Sequence, residues 1–185
     1  MLRLTLRCAA AAGLIACVGC QSPSSSSSTT SVDDYVAASY SPDPAIATPS
    51  KGVTYRVVRG NNQPDDILEY QYTTIFTANV TITSNPSDVS LTFPVTVTAV
   101  TGKVEQASGG IVTPPTGTDV EHYQSVILSS SASSFSNTGV SVQMTFQVWY
   151  SLPSGGKECV ITESVAMKDK DGKTLTKDVK ARVSS

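Results

Sequence analysis

The sequence predicts an all-β protein, a single antiparallel β-sandwich of about seven strands. Three observations carry that expectation. From Gly52 onward, apolar residues alternate with polar ones at a period of two, the spacing of a strand with one face in a core and one in water. The alternating runs are broken by clusters of Gly, Pro, Asn, Asp and Ser, the residues that set turn geometry. No helical periodicity competes with this pattern in the preceding stretch, 32–50.

Taken in order, Val53-Thr54-Tyr55-Arg56-Val57 reads as a first strand closed by Gly60-Asn61-Asn62. The next run puts Leu68, Tyr70, Tyr72, Phe76, Ala78, Val80 and Ile82 on one face, with Glu69, Gln71, Thr73, Thr77, Asn79, Thr81 and Thr83 opposite. After a turn at Ser84-Asn85-Pro86-Ser87-Asp88, a further run turns Val89, Leu91, Phe93, Val95, Val97 and Ala99 inward. These two runs are expected to pair as a long hairpin. Pro94 falls on the polar face and lacks a ladder donor, which places an edge or a bulge there.

An irregular segment is expected from Gly102 to Glu121, with Gly109-Gly110 and Pro114-Pro115 inside it. A strand from Tyr123 to Leu128 and a serine-rich bend from Ser129 to Asn137 follow. Val140, Val142, Met144, Phe146, Val148 and Tyr150 then share one face, and Pro153-Ser154-Gly155-Gly156 turns the chain. Cys159, Ile161, Val165 and Met167 line the next strand. Asp169-Lys170-Asp171-Gly172 reads as a hairpin turn of the Asp-Gly kind, and Leu175, Val179, Ala181 and Val183 close the fold. Two sheets of such strands, packed face to face, resemble the layout of immunoglobulin and fibronectin type III domains. The resemblance is to layout alone, since Cys159 has no partner for a Cys…Trp…Cys pattern around Trp149.

The N-terminus has a different character. Arg3 and Arg7 precede a small apolar run from Cys8 to Ala16, shorter than the roughly 20 residues a membrane-spanning helix needs. Leu14-Ile15-Ala16-Cys17-Val18-Gly19-Cys20 resembles the lipobox of bacterial lipoproteins, with Leu14 and Ala16 correctly spaced before Cys17 and Gly19 directly before the alternative, Cys20. The resemblance implies cleavage and acylation at Cys17 or Cys20. Each buried methylene contributes ~0.8 kcal/mol, so two or three acyl chains anchor stably. The next residue, Val18 or Gln21, is not the aspartate that retains enterobacterial lipoproteins at the inner membrane. The resemblance therefore implies a cell-envelope location, with the outer membrane favoured in a two-membrane host. The division that follows is 1–20 as signal and lipobox, 21–50 as a Ser/Thr/Pro-rich tether and extended arm, and 51–185 as the β-sandwich. Tyr35 and Tyr40 are expected to lay the arm along the domain.

Composition narrows the function. Setting aside Arg3 and Arg7, the 13 basic residues fall to 11 against 15 acidic ones, a net charge of −4, which gives no footprint for nucleic acid. Three of the four cysteines lie in the first 20 residues, so no disulfide framework can form. Sites built on several His or Cys ligands are excluded by the count, and no cofactor motif occurs.

His122, the only histidine, is the sole candidate base for a nucleophile such as Cys159. Cys159, on an inward face, reads instead as a buried apolar residue. Asp169-x-Asp171-Gly172 has a calcium-loop opening without the later ligands. Asn79-Val80-Thr81 reads as plain strand. Trp149 stands on the polar face of its strand with Ser141, Gln143, Thr145 and Gln147, where a tryptophan can stack on sugars or anchor a protein.

The leading expectation is a non-catalytic envelope binding or scaffolding module, tethered by lipid, that contacts an envelope protein or glycan through the long Gly102–Glu121 segment and the Trp149 face. The alternatives are a small lipid-anchored hydrolase using Asp65, Asp66 or Asp119, and an assembly factor for a secretion or pilus machine that adds a strand at an exposed edge.

Overall fold

The computed structural model describes residues 30–57, 64, 66–106, 123–152 and 156–185. Among them the chain forms 12 strands and one helical turn, against the seven strands expected. The surplus comes mainly from short elements contributed by the N-terminal arm. Ser31 caps the turn α1 (Val32–Tyr35): its hydroxyl accepts from Asp33 N while Asp34 accepts from Ser31 N, a capping box. The chain then enters β1 (Val36–Ser41), which pairs antiparallel with β6 (Tyr72–Ile82) from Val36↔Ile82 to Ser41↔Thr77. After Pro42 and Pro44 it crosses to β2 (Ala45–Ile46), parallel to β12 (Thr174–Ser184). It returns to β6 through β3 (Thr48–Pro49). Tyr35, Val36, Ala45 and Ala47 are buried, so the arm is part of the core.

The remaining strands are β4 (Thr54–Val57), β5 (Asp66–Glu69), β7 (Val95–Gln106), β8 (Tyr123–Ser130), β9 (Ser134–Phe135), β10 (Ser141–Tyr150) and β11 (Cys159–Lys168). One five-stranded sheet has the order β1-β6-β10-β8, with β3 also on β6; a second has the order β2-β12-β11-β7-β9; β4 and β5 form a separate ribbon. A single hydrophobic cluster draws on both large sheets. Phe76, Val80, Met144, Phe146 and Tyr150 come from the first, and Val95, Val104, Ile161, Val165, Met167 and Val179 from the second. The Phe76 and Phe146 rings lie 5.4 Å apart. Burying each such side chain contributes about 1.5–3 kcal/mol, which is what the alternation secures.

Several expectations are corrected. The runs around 68–82 and 89–99 do not pair as a hairpin: β6 bonds to β1 and β10, while β7 bonds to β11 and β9. Asn85 holds the connection in a compact form by accepting from Leu91 N at 2.6 Å and donating to Leu91 O at 2.8 Å, and that form carries the chain to the other sheet. The run from Leu68 is interrupted between Glu69 and Tyr72, so β5 and β6 are separate; Tyr70 is 2% exposed but Leu68 is 45% exposed. The irregular segment does not begin at Gly102, because β7 runs on to Gln106. A bulge opposite Ala166/Met167 skips Thr98 and switches the inward parity from Val95 and Val97 to Val104. Exposed Pro94 sits just before β7, where no ladder donor is required. The β11–β12 hairpin forms as the sequence predicts, with Gly172 at φ +93 and Asp169 N donating to Lys173 O at 2.9 Å.

Candidate binding surface

Charge divides the two large sheets. No strand of the first contains Asp, Glu, Lys or Arg, and the chain carries none of them from Tyr123 to Gly156. Strands of the second hold Lys103, Glu105, Glu163, Lys168, Lys177, Asp178, Lys180 and Arg182.

On the uncharged sheet, Val148 and Tyr150 are fully buried, and Trp149 between them faces away from the core and is half-buried. Its position follows from period-two geometry, since a one-residue slip would exchange the two faces. Trp149 lies opposite Thr73 on β6 and Gln124 on β8, and the next row is Ile75–Gln147–Val126. Ile75 and Val126 are exposed. Beyond them hydroxyls pair across the strands, Thr77 with Thr145 at 3.0 Å and Thr81 with Ser141 at 2.6 Å. The result is an indole at one end of a neutral hydroxyl and amide surface.

Strand β8 ends this sheet. Its Val126, Ile127 and Leu128 are 36%, 47% and 51% exposed, and a bulge opposite Thr145/Phe146 accommodates Leu128.

Behind β8 lies a residue the sequence reading passed over. Glu163 has the inward parity of Cys159, Ile161, Val165 and Met167 and is fully buried. Tyr123 Oη donates to its Oε1, and Oε2 has no hydrogen-bond partner. Burial pushes the Glu163 carboxyl above its usual range, opposed by hydrogen bonds from Tyr123 and Ser125. Burial also raises the Tyr123 phenol, with Glu163 adding to the shift, so the phenol keeps its proton. The contact requires Gly102, where a Cβ would fall 1.8 Å from Tyr123 Oη. A lone acidic residue in an apolar parity was the available signal.

On the far side of the fold, an open groove of about 840 Å³ runs between β1 and β12. Lys177 Nζ donates to Asp33 Oδ1 at 2.5 Å, and this pair holds the Asp33 carboxyl below its usual range. Tyr40 Oη donates to Asp43 at 2.5 Å and accepts from Arg182 N at 3.0 Å, while the Arg182 guanidinium donates to Asp43 at 3.0 Å. Asp43 is lowered by Tyr40 first and then by Arg182.

Of the other sequence candidates, Cys159 lies in the core with its thiol pushed up to about 12 by burial, a state in which thiolate is scarce at neutral pH. Asp169 accepts from Thr92 N and Lys173 N, and Asp171 accepts from the Thr92 hydroxyl at 2.6 Å; both carboxylates serve the turn. Asp66 pairs through its backbone with Val57, and Asn79 stands on the neutral face of β6 opposite Gln143. Cys17, Cys20, Asp65, Asp119 and His122 lie outside the described residues. Among the described residues no three His, Cys, Asp or Glu side chains come together in a metal-binding group, and no helix is long and apolar enough to cross a membrane. No protein-family model matches the chain, and no curated protein matches it either.

Proposed function

We propose that the chain is a lipid-anchored envelope protein whose β-sandwich binds a neutral glycan without catalysis. One observation carries the reading: the half-buried Trp149 lies on a sheet with no charged residue in any strand. Indole stacking on a sugar face is non-ionic, and the surrounding threonine, serine and glutamine side chains offer both donors and acceptors to sugar hydroxyls. A neutral face favours an uncharged polymer over an acidic or basic one.

A single immunoglobulin-like sandwich is the architecture that fits. The long strands β1-β6-β10-β8 and β12-β11-β7 match the ABED and GFC orders of that layout when lettered in chain order. Anchoring rests on the lipobox resemblance at Cys17 or Cys20, and the outer membrane remains the favoured location.

Trp149 is the only tryptophan, so its fluorescence reports on the site alone. Titration with neutral oligosaccharides released from envelope polymers should shift its emission, and Trp149→Ala should abolish retention on the same polymers. A flat titration together with unchanged retention of the variant would sink the glycan reading; retention on an envelope protein instead would reassign the surface. Detergent partitioning and intact mass test the anchor, and Cys17→Ser and Cys20→Ser, made separately, show which residue carries it.

A further inference from the structure

Exposed strand edges are usually blunted by charge, proline, short length or neighbouring structure, because their free N–H and C=O groups recruit other strands. Most edges of this fold are treated that way. β2 and β9 are two residues long. β12 carries Lys177, Asp178, Lys180 and Arg182. β1 ends at Pro42 and lies beside β12, whose Arg182 N is capped by Tyr40 Oη at 3.0 Å.

β7 runs on past the two-residue β9, but it bulges at Thr98 and carries Lys103 and Glu105. β8 has neither charge, proline nor short length to blunt it. Among the described residues it bonds only to β10, it has no charge along its length, and it exposes three consecutive aliphatic side chains. Among the described residues the only break along it is the bulge at Leu128, which leaves Tyr123–Ile127 in continuous register.

We propose that β8 is a homotypic interaction surface, and that two copies of this chain pair antiparallel through Tyr123–Ile127 about a two-fold axis at Ser125. The occupant follows from the segment itself. In that register Tyr123 stands opposite the partner's Ile127, Gln124 opposite the partner's Val126, and Ser125 opposite the partner's Ser125. Residues of one parity meet on one face, as strand geometry requires. An aromatic–β-branched pair is a favourable cross-strand combination. No like charges oppose each other, whereas self-pairing of β12 would bring a row of charges into the joint. The pairing would run β1-β6-β10-β8 into its symmetry mate as one continuous sheet and extend the neutral face across both copies. A five-residue edge buries less than the ~1,000 Å² of a permanent interface, so the dimer is weak and reversible. It does not depend on the glycan reading.

Sedimentation velocity of the full chain in a non-ionic detergent, from micromolar to sub-millimolar concentration, tests this. The expected result is a concentration-dependent dimer. Ile127→Lys or Val126→Lys should move the midpoint upward by roughly tenfold or more, about 1.4 kcal/mol, with an unchanged circular dichroism spectrum. Lys180→Ala, on the opposite edge, should leave the midpoint in place. A monomer at every concentration overturns the proposal. So does a dimer that survives both lysine substitutions, or one that Lys180→Ala weakens equally.

Discussion

Strands β10 and β12 have nearly the same length and a similar inward pattern, broken in β12 only by Lys177, yet they present opposite chemistry outward. β10 buries Val142, Met144, Phe146, Val148 and Tyr150, and β12 buries Leu175, Val179, Ala181 and Val183. Away from the core, β10 displays Ser141, Gln143, Thr145, Gln147 and Trp149, while β12 displays Thr174, Thr176, Asp178, Lys180 and Arg182. The inward residues answer to burial, which is indifferent to what lies on the other face. The outward residues are free to answer to a partner. Charges hold water strongly and discourage edge pairing; a hydroxyl and amide face with one indole releases water more readily and accepts neutral contacts. On the function proposed above, recognition belongs to the β6–β10–β8 side and protection to the β1–β12 side.

The largest expected effects leave that comparison untouched and show that the two sheets share one core. Phe146→Ala on the neutral sheet and Ile161→Ala on the charged one should each cost roughly 2–5 kcal/mol in urea unfolding. Ile127→Ala, at the position paired with Phe146 but 47% exposed, should stay within about 0.5 kcal/mol, as surface positions do. A large loss at Ile127 would mean that the β8 edge is covered and that the contrast between edges is false.

Next in size is the contact that ties β8 to the charged sheet. Gly102→Ala forces Tyr123 away from Glu163 and should cost about 1–3 kcal/mol, the usual cost of overpacking. Glu163→Gln probes the same contact through pH. A carboxyl raised in the folded state stabilises fully below its unfolded value of about 4.3 and loses that contribution as pH rises through the folded pKa. Wild-type melting temperature should therefore fall across that window, while Glu163→Gln, which has no proton to lose there, should lack the fall. Parallel profiles would show that folding does not raise the Glu163 pKa.

How far the sequence reveals this depends on the range of the interaction involved. Alternation made β10, β11 and β12 legible, and Asp169-Lys170-Asp171-Gly172 made the β11–β12 hairpin legible, because both signals are local. The partners of β6 were not, since β1 and β10 reach it from about 40 and 70 residues away and adjacency argues for β7 instead. The bulge at Thr98 hid the last part of β7 by switching its parity. Trp149's outward placement was readable from its neighbours. Glu163 was readable by parity too, but a single acid among apolar residues looks like an exposed interruption until Tyr123 arrives from another strand.

A smaller effect sharpens the outer face. Trp149→Ala should cost well under the ~3–5 kcal/mol of a fully buried aromatic, because the residue is half-buried and Val148 and Tyr150 hold the strand. Loss of glycan retention with near-normal stability would separate recognition from folding; a loss as large as that of Phe146→Ala would make Trp149 part of the core.

The smallest effect belongs to the charged edge. Asp33 is 79% exposed and pairs with Lys177, whose side chain is 13% exposed. A carboxyl lowered in the folded state contributes stability above its unfolded pKa of 3.8 and loses it as pH falls through the lower folded value. Asp33→Asn should therefore produce only a slight loss at neutral pH, and the gap from wild type should close in acid. Salt should narrow it as well, because an exposed pair is screened over about 10 Å at 0.1 M ionic strength. Titration of urea midpoints against pH and salt measures both trends. A salt-insensitive loss as large as that of Gly102→Ala would make the β1–β12 side a structural joint, and its charges would then be explained by folding and not by protection of an edge.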